Sequence, residues 1–358
     1  MTDWNALLKA VPRHEFIPET VWIVEPGGGT IFKPLRRDDD PEAWRALCES
    51  DAAIITQVDD GAEEGNFPTS SSSGLQIMAP MLAALDPQDG MKILEIGTGT
   101  GYNAAVLATR LGPANVVSVE MDAMIADRAR KALAEAGHPI EVITGDGTAG
   151  HPPRAPYDGV IATAAVKYVP YSWVEQTKPG GRIVLPLATE WDGGRGALLT
   201  LVVREDGTAE GRCGMGTSFM CLRSQRRLPI PPEDWDDDYD ETWATVLPRE
   251  PFDDDWSAEF AIGLALPGVR WALGWEDDDT RTFDLYHHET GSWAYCLPGE
   301  TRHRIRQYGP RRLWDDLQTA HTHWLHHDRP ARDRYGLTVT PQAQHAWLDH
   351  PQNIIHTV

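Results

Sequence analysis

Hydrophobic and polar positions alternate in two different ways along the chain. From Lys92 onward, short apolar runs are separated by amphipathic stretches. Ile93–Ile96, Val116–Glu120, Ile140–Thr144, Tyr157–Ala162 and Arg182–Leu187 read as strands buried on both faces. Between them, Asn103–Leu111 and Asp122–Ala136 read as helices, the second stopped by Gly137, and Val174–Thr177 closes a short helix before Lys178-Pro179-Gly180-Gly181. Leu198–Val203 and Ser218–Leu222 add two further strands. Strand and helix in alternation predict an α/β fold with a doubly wound, Rossmann-like sheet. Upstream, Asp3–Ala10 (Trp4, Leu7 and Leu8 on one face), Pro41–Glu49 and Gln76–Leu85 read as helices, whereas Val11–Glu19 is bracketed by prolines and irregular. Downstream of Arg226 the composition shifts. There Phe260–Leu266, Arg281–Tyr286 and Trp293–Leu297 read as strands and Arg311–His326 as a helix with Leu313, Leu317, Ala320 and Trp324 on one face. The expected organisation is an N-terminal helical segment over 1–75, a nucleotide-binding domain over 76–225 and an α+β extension over 226–358, with Leu228–Pro232 as its linker.

Composition narrows the function classes. The chain has 358 residues, 41% of them hydrophobic, and holds a sizeable core without any apolar run of membrane-spanning length. Its formal net charge is −22, which disfavours nucleic acid and, in bulk, acidic partners. The four cysteines, Cys48, Cys213, Cys221 and Cys296, are scattered without a C-x-x-C, and the N-terminus lacks the basic-then-apolar layout of a signal peptide. Both features fit a reducing, cytoplasmic setting.

The densest candidate chemistry lies at Leu94-Glu95-Ile96-Gly97-Thr98-Gly99-Thr100-Gly101. Glycines let the backbone bend sharply and let a ligand approach it, and the following helix turns unpaired N–H groups toward that ligand. The spacing is G-x-G-x-G rather than the G-x-G-x-x-G of a dinucleotide site. An acid two residues before the first glycine repels a pyrophosphate but suits a cation, such as the sulfonium and ammonium of S-adenosyl-L-methionine. Glu120 ends the second strand, where an acid can bond both ribose hydroxyls. Asp146, beside Gly147, ends the third, where an adenine edge would fall. Ser70-Ser71-Ser72-Ser73 directly precedes an apolar helix; capping that helix is the plainest role for it.

Taken together, several segments resemble the protein L-isoaspartate O-methyltransferase family. They are Val11-Pro12-Arg13-His14-Glu15-Phe16-Ile17-Pro18-Glu19, the glycine turn with Tyr102 and Ala104–Ala108, Gly145–Thr148, Ala155–Asp158, Thr163–Ala165, Lys178–Pro186 and Phe219–Leu222. The resemblance implies a class I methyltransferase using S-adenosyl-L-methionine, with cofactor contacts from Glu95, Gly97, Thr98, Gly99, Thr100, Gly101, Glu120, Met121, Asp146 and Gly147. It also implies a serine beside the methyl-accepting carboxylate. Alignment on Ile77-Met78-Ala79 puts Ser73 there, with Ser72 and Ser71 as neighbours; Gly74-Leu75 stands where the family has its proline. The four-serine form and the extension resemble an actinobacterial subgroup acting on ribosomally made, lasso-type peptides, where an aspartate ester closes to an aspartimide. The repair members of the family are expected to end near residue 225. The implied partner is a peptide or protein bearing aspartate or isoaspartate.

Three features of the extension complete the expectations. Arg302, Arg304, Arg306, Arg311 and Arg312 form a basic cluster that either receives an acidic peptide or neutralises nearby acids. Aspartate runs at 236–238, 253–255 and 277–279 lack the continuation of an EF-hand and read as solvated turns. His323 and His327 are spaced as metal ligands can be, but no Glu or Cys joins them at ligand spacing, so no metal site is expected.

Overall fold

Asp3 starts the first helix by accepting a hydrogen bond from the Ala6 amide at 3.0 Å, and Asp40, followed by Pro41, starts the second by accepting from Ala43 at 2.9 Å. The computed structural model describes residues 2–24, 31–191, 195–226, 239–244, 256–275, 281–299 and 302–357. Leu228–Pro232 and the three aspartate runs lie outside the described residues. Tertiary contacts divide the chain into two units. One is Met1–Ala164 with Val169–Leu185 and Leu199–Glu210; the other is Ala165–Tyr168 with Pro186–Leu198 and Gly211–Val358.

The first unit opens with α1 (Trp4–Ala10), β1 (Thr20–Val24), β2 (Phe32–Arg36), α2 (Pro41–Glu49), β3 (Ile54–Val58), β4 (Pro68–Ser72) and α3 (Leu75–Leu85). The expected helices are present, but 1–75 is not only helical. Its four strands form an antiparallel sheet in the order β2-β1-β3-β4. These strands escape periodicity because each is five residues long, β2 has no fully buried residue, and β3 and β4 bury the polar Thr56, Gln57, Ser70 and Ser72. Ile17, Val21, Trp44, Cys48 and Ile54 form the core of this segment. The serine run is not a helix cap either. It is strand β4, and the cap of α3 is Gly74, which makes no side-chain capping bond.

Next come β5 (Ile93–Ile96), α4 (Tyr102–Leu111), β6 (Val116–Glu120), α5 (Ala123–Glu135), β7 (Glu141–Thr144), β8 (Tyr157–Ala162), α6 (Tyr171–Glu175) and β9 (Thr177–Ala188). Their spatial order is β7-β6-β5-β8-β9, all parallel, with β5 flanked by β6 and β8. The strand order reverses at β5, so the crevice beyond its carboxyl end is where a ligand is expected in such a sheet. Every residue of β5 is buried, as its continuous apolar pattern requires. The doubly wound, Rossmann-like sheet is therefore present as expected.

β10 (Arg195–Val203) and β11 (Ala209–Ser218) follow. Ser218–Leu222 was expected as a strand, but only an isolated bridge between Ala165 and Cys221 forms there. The strand lies earlier, at β11, where Gly211, Gly214 and Gly216 dilute the apolar signal and the inward positions are the small Ala209, Cys213 and Thr217. The second unit continues with β12 (Asp240–Ala244), α7 (Trp256–Ala265), β13 (Val269–Trp275), β14 (Arg281–His287), β15 (Ser292–Leu297), β16 (His303–Tyr308), α8 (Leu313–His326), β17 (Tyr335–Val339), β18 (Gln344–Leu348) and β19 (Ile354–Thr357). It holds an antiparallel sheet ordered β12-β16-β15-β14-β13, and a run β11-β17-β18-β19. Phe260–Leu266, expected as a strand, belongs to helix α7. A short, wholly apolar run has no period to separate the two forms, and here Ile262 and Leu266 pack among Phe283, Leu285, Trp314 and Leu317. Among the described residues no helix is long and apolar enough to cross a membrane.

Candidate active site

The loop from β5 to α4 carries the glycines in backbone conformations that side chains disfavour: φ is +91° at Gly97, +55° at Gly99 and +87° at Gly101. Space is restricted too. A Cβ on Gly101 would lie 3.1 Å from Leu133 Cγ, and one on Gly99 would lie 3.2 Å from the carbonyl oxygen of Ser71. The serine strand therefore abuts the glycine turn, and two segments separated by some twenty-five residues in sequence share one site.

Glu120, half-buried at the end of β6, closes the turn from the other side. Its Oε2 accepts the Gly99 N–H at 2.9 Å and its Oε1 the Asp122 N–H at 3.1 Å. Met121, beside it, is 41% exposed. Asp146 is exposed and accepts from the Thr148 amide, while Gly147 is buried with its carbonyl bonded by the Trp173 indole N–H. Gly147 cannot be larger, since a Cβ there would sit 2.5 Å from Ile96 Cγ2. Glu120, Met121, Asp146, Gly147 and the half-buried Gly97, Gly99 and Thr100 thus gather at the carboxyl ends of β5, β6 and β7. Their chemistry fits an adenosyl ligand: backbone N–H groups, a carboxylate at ribose position and an acid at the adenine end.

Two expected residues turn inward instead. Glu95 has no exposed surface, and its oxygens accept from Asn103 Nδ2 at 2.7 Å and Ser118 Oγ at 2.5 Å. Thr98 is buried as well, its hydroxyl 2.6 Å from the same Ser118. Glu95 lies inside β5, which is covered on both faces, so its side chain points into packing rather than into the crevice; Thr98, in the loop beyond, is held inward by its contact with Ser118. Burial pushes the Glu95 carboxyl up to about 7 against the opposing bonds from Ser118 and Asn103, with Glu120 adding to the rise.

The serines alternate as a strand dictates. Ser70 and Ser72 are buried: Ser70 Oγ accepts from the Thr56 hydroxyl at 3.2 Å, and Ser72 Oγ accepts from Arg13 Nε at 3.1 Å. Ser71, between them, and Ser73, just past the end of the strand, are half-buried. Periodicity and composition did not single out three residues of this neighbourhood. Arg13 reaches the serine run from Pro12-Arg13-His14. Gln57 donates to Asp122 Oδ2 at 3.2 Å and accepts from the Thr69 hydroxyl at 2.9 Å, tying β3 and the start of β4 to the residue that caps α5. Arg13 lay within Val11–Glu19, one of the segments that carry the family resemblance, and Asp122 opened an expected helix, but neither was given a role at the site; nothing marked Gln57.

In the second unit, three of the five clustered arginines bond local acids: Arg306 to Glu241, Arg312 to Asp240 at 2.7 Å and Arg311 to Asp316 at 3.1 Å. Neutralisation accounts for these three. His323 and His327 have ring centroids 4.1 Å apart, and among the described residues no group of three or more metal-binding side chains forms.

Comparison with known proteins decides the family. The profile of protein-L-isoaspartate(D-aspartate) O-methyltransferases matches residues 56–227. The protein-L-isoaspartate O-methyltransferase of Methanopyrus kandleri is 37% identical over 230 residues, covering 63% of this chain and 85% of that protein. The chain belongs to the protein-L-isoaspartate O-methyltransferase family. The namesake of Methanoculleus marisnigri is 50% identical over 112 residues, 31% of this chain and 50% of that one. This family member is thus an S-adenosyl-L-methionine-dependent carboxyl O-methyltransferase. A solved structure described as a protein-L-isoaspartate O-methyltransferase covers 98% of this chain and 96% of its own, with a TM-score of 0.54 and 22% identity, and shares the fold. The matched length of that structure includes the region after residue 225.

Proposed function

We propose that this enzyme methylates the α-carboxylate of L-isoaspartyl residues in peptides and proteins. What supports the reading is the close approach of Ser71 to Gly99, which puts a hydroxyl-rich strand against a cofactor turn. When bound, S-adenosyl-L-methionine supplies an electrophilic methyl group on a sulfonium. Gly97, Gly99, Thr100 and Gly101 would hold its methionine end, Glu120 the ribose, and Met121, Asp146 and Gly147 the adenine. Glu95 and Thr98 would act through Ser118 by fixing the turn rather than by touching the ligand. A carboxylate is ionised at pH 7, with an unperturbed pKa of about 4, so the chain need not supply a general base. Its task is alignment. Ser73, with Ser71 as its neighbour, would orient the carboxylate by charge-assisted hydrogen bonds. Once esterified, the carboxyl carbon is open to the next backbone nitrogen, which expels methanol and closes a five-membered imide outside the enzyme.

In this reading 1–75 presents the acceptor, 76–225 the cofactor, and 226–358 contacts the peptide around the target. Tailoring of a ribosomally made, lasso-type peptide at a normal aspartate keeps the same chemistry. Its support is the four-serine run followed by Gly74-Leu75. The extension alone does not favour it, because a structure described as a protein-L-isoaspartate O-methyltransferase has a matching length and the same fold. Incubation with labelled cofactor and two otherwise identical peptides, one isoaspartyl and one aspartyl, separates the two. Repair predicts label and base-labile methanol from the isoaspartyl peptide alone; label in neither peptide overturns it, and label only in an aspartyl precursor peptide favours tailoring. Replacing Ser73 by Ala should lower kcat about tenfold to a hundredfold, the worth of one bond to a charged group.

A further inference from the structure

Arg13 is 6% exposed, yet all of its hydrogen bonds go to neutral acceptors. Nη1 donates to the Ser50 carbonyl and Nη2 to that of Ala52, both at 2.8 Å. The same Nη2 donates to the carbonyls of Ser72 at 3.1 Å and Ser73 at 3.0 Å, while Nε donates to Ser72 Oγ at 3.1 Å. Consecutive carbonyls in an extended strand point to opposite sides. Here two in a row turn to one nitrogen, so the backbone departs from β geometry immediately after β4. In a trans peptide the N–H points opposite to the carbonyl, so the N–H groups of Ser73 and Gly74 are directed away from the guanidinium. Two successive N–H groups on one side make a concavity suited to an anion. Burial lowers the pKa of the guanidinium behind them, but an arginine starts so far above neutral that it keeps its positive charge. It also lies 6.0 Å from the ring of Tyr102, the first residue of α4, which follows the glycine turn directly. The Tyr102 hydroxyl is anchored on the carbonyl of Leu8 in α1.

We propose that Arg13 is a positioning residue for the methyl acceptor: it pulls the Ser72 and Ser73 carbonyls inward and so presents the Ser73 and Gly74 N–H groups, with the Ser73 hydroxyl, to the substrate carboxylate. The inference rests on the isoaspartyl reading above. Without Arg13 those carbonyls are free to swing toward the pocket, where their oxygens repel the carboxylate. A lysine keeps the charge but has one nitrogen on a flexible stem, which cannot hold four carbonyls and a hydroxyl in a fixed fork.

The test compares wild type, Arg13→Lys and Arg13→Ala on an isoaspartyl peptide, with S-adenosyl-L-homocysteine affinity measured by calorimetry. Arg13→Lys should lose at least tenfold in kcat and raise the peptide KM, with S-adenosyl-L-homocysteine affinity within twofold of wild type. Methylguanidinium added to Arg13→Ala should restore activity at least fivefold, a rescue that loss of folding alone does not give. Should neither variant fold, amide resonances of labelled wild type decide: Ser73 and Gly74 should shift on addition of the peptide. Wild-type turnover with unaltered kcat in Arg13→Lys overturns the proposal alone. So does a kcat loss matched by equal losses of ligand affinity and melting temperature without rescue, or Ser73 and Gly74 resonances that do not move. Absence of wild-type turnover on the isoaspartyl peptide overturns the functional reading and this proposal with it.

Discussion

At the scale of single residues, the acids at the strand ends divide by where the strand leaves them. Glu120 stands at the last position of β6 and keeps part of its surface exposed; Glu95 stands inside β5 and keeps none. Glu95 thus carries a testable signature. Its carboxyl rises from 4.5 to about 7 through burial, so between those values the folded chain holds a proton that the unfolded chain has released. Its contribution to stability must fall as pH rises through that window and stay level above it. Glu95→Gln keeps an acceptor for Asn103 and offers a donor to Ser118, and it cannot ionise. Its melting temperature relative to wild type should therefore climb between pH 5 and pH 8; a difference independent of pH, or one that shrinks, contradicts the assignment. The types of residue were legible here from the chain alone. Their direction was not: four serines in a row give no phase, and only the pairing of β4 with β3 buries Ser70 and Ser72 while leaving Ser71 partly open.

Among elements, the glycine turn and the serine strand form the site together, and their contact depends on the absence of a side chain at Gly99. Gly99→Val should weaken S-adenosyl-L-homocysteine binding about tenfold or more in calorimetry. The variant combines a left-handed φ of +55° with a β-branched side chain aimed at the Ser71 carbonyl. Asp122 couples the same elements differently. Its side chain accepts from the Met124 and Ile125 amides and from Gln57. Asp122→Ala should cost about 1 kcal/mol from the lost cap, read from denaturant midpoints. The parallel strands and their helices were visible in sequence because burial on both faces leaves continuous apolar runs that need no partner to be noticed. The N-terminal sheet and β11 were not, since half-covered or glycine-rich strands carry little pattern of their own.

For the whole molecule, the boundary drawn at residue 226 by composition is a poor place to cut. Trp191 is fully buried, and it packs 6.3 Å from Phe283 within a cluster that includes Ile262, Leu285 and Trp314. A chain ending at Arg226 leaves that indole without its neighbours and should elute as aggregate in size-exclusion chromatography, or melt well below the full chain. A monodisperse truncated chain with the full melting temperature refutes this. The net charge of −22 gives a second expectation. An acidic isoaspartyl peptide should show a KM that falls as salt is added, and a basic one a KM that rises, because screening weakens repulsion in the first case and attraction in the second.

The sequence by itself determined the parallel sheet, the glycine turn and the kind of cofactor it serves, since these depend on local backbone freedom and on runs of apolar residues. Tertiary structure alone decided that Ser70 and Ser72 are buried, that Glu95 and Thr98 turn inward, and that Arg13 bonds the serine run. Each of those depends on contacts between segments far apart in the chain. Strand pairing and burial fix such contacts, and no local pattern encodes them.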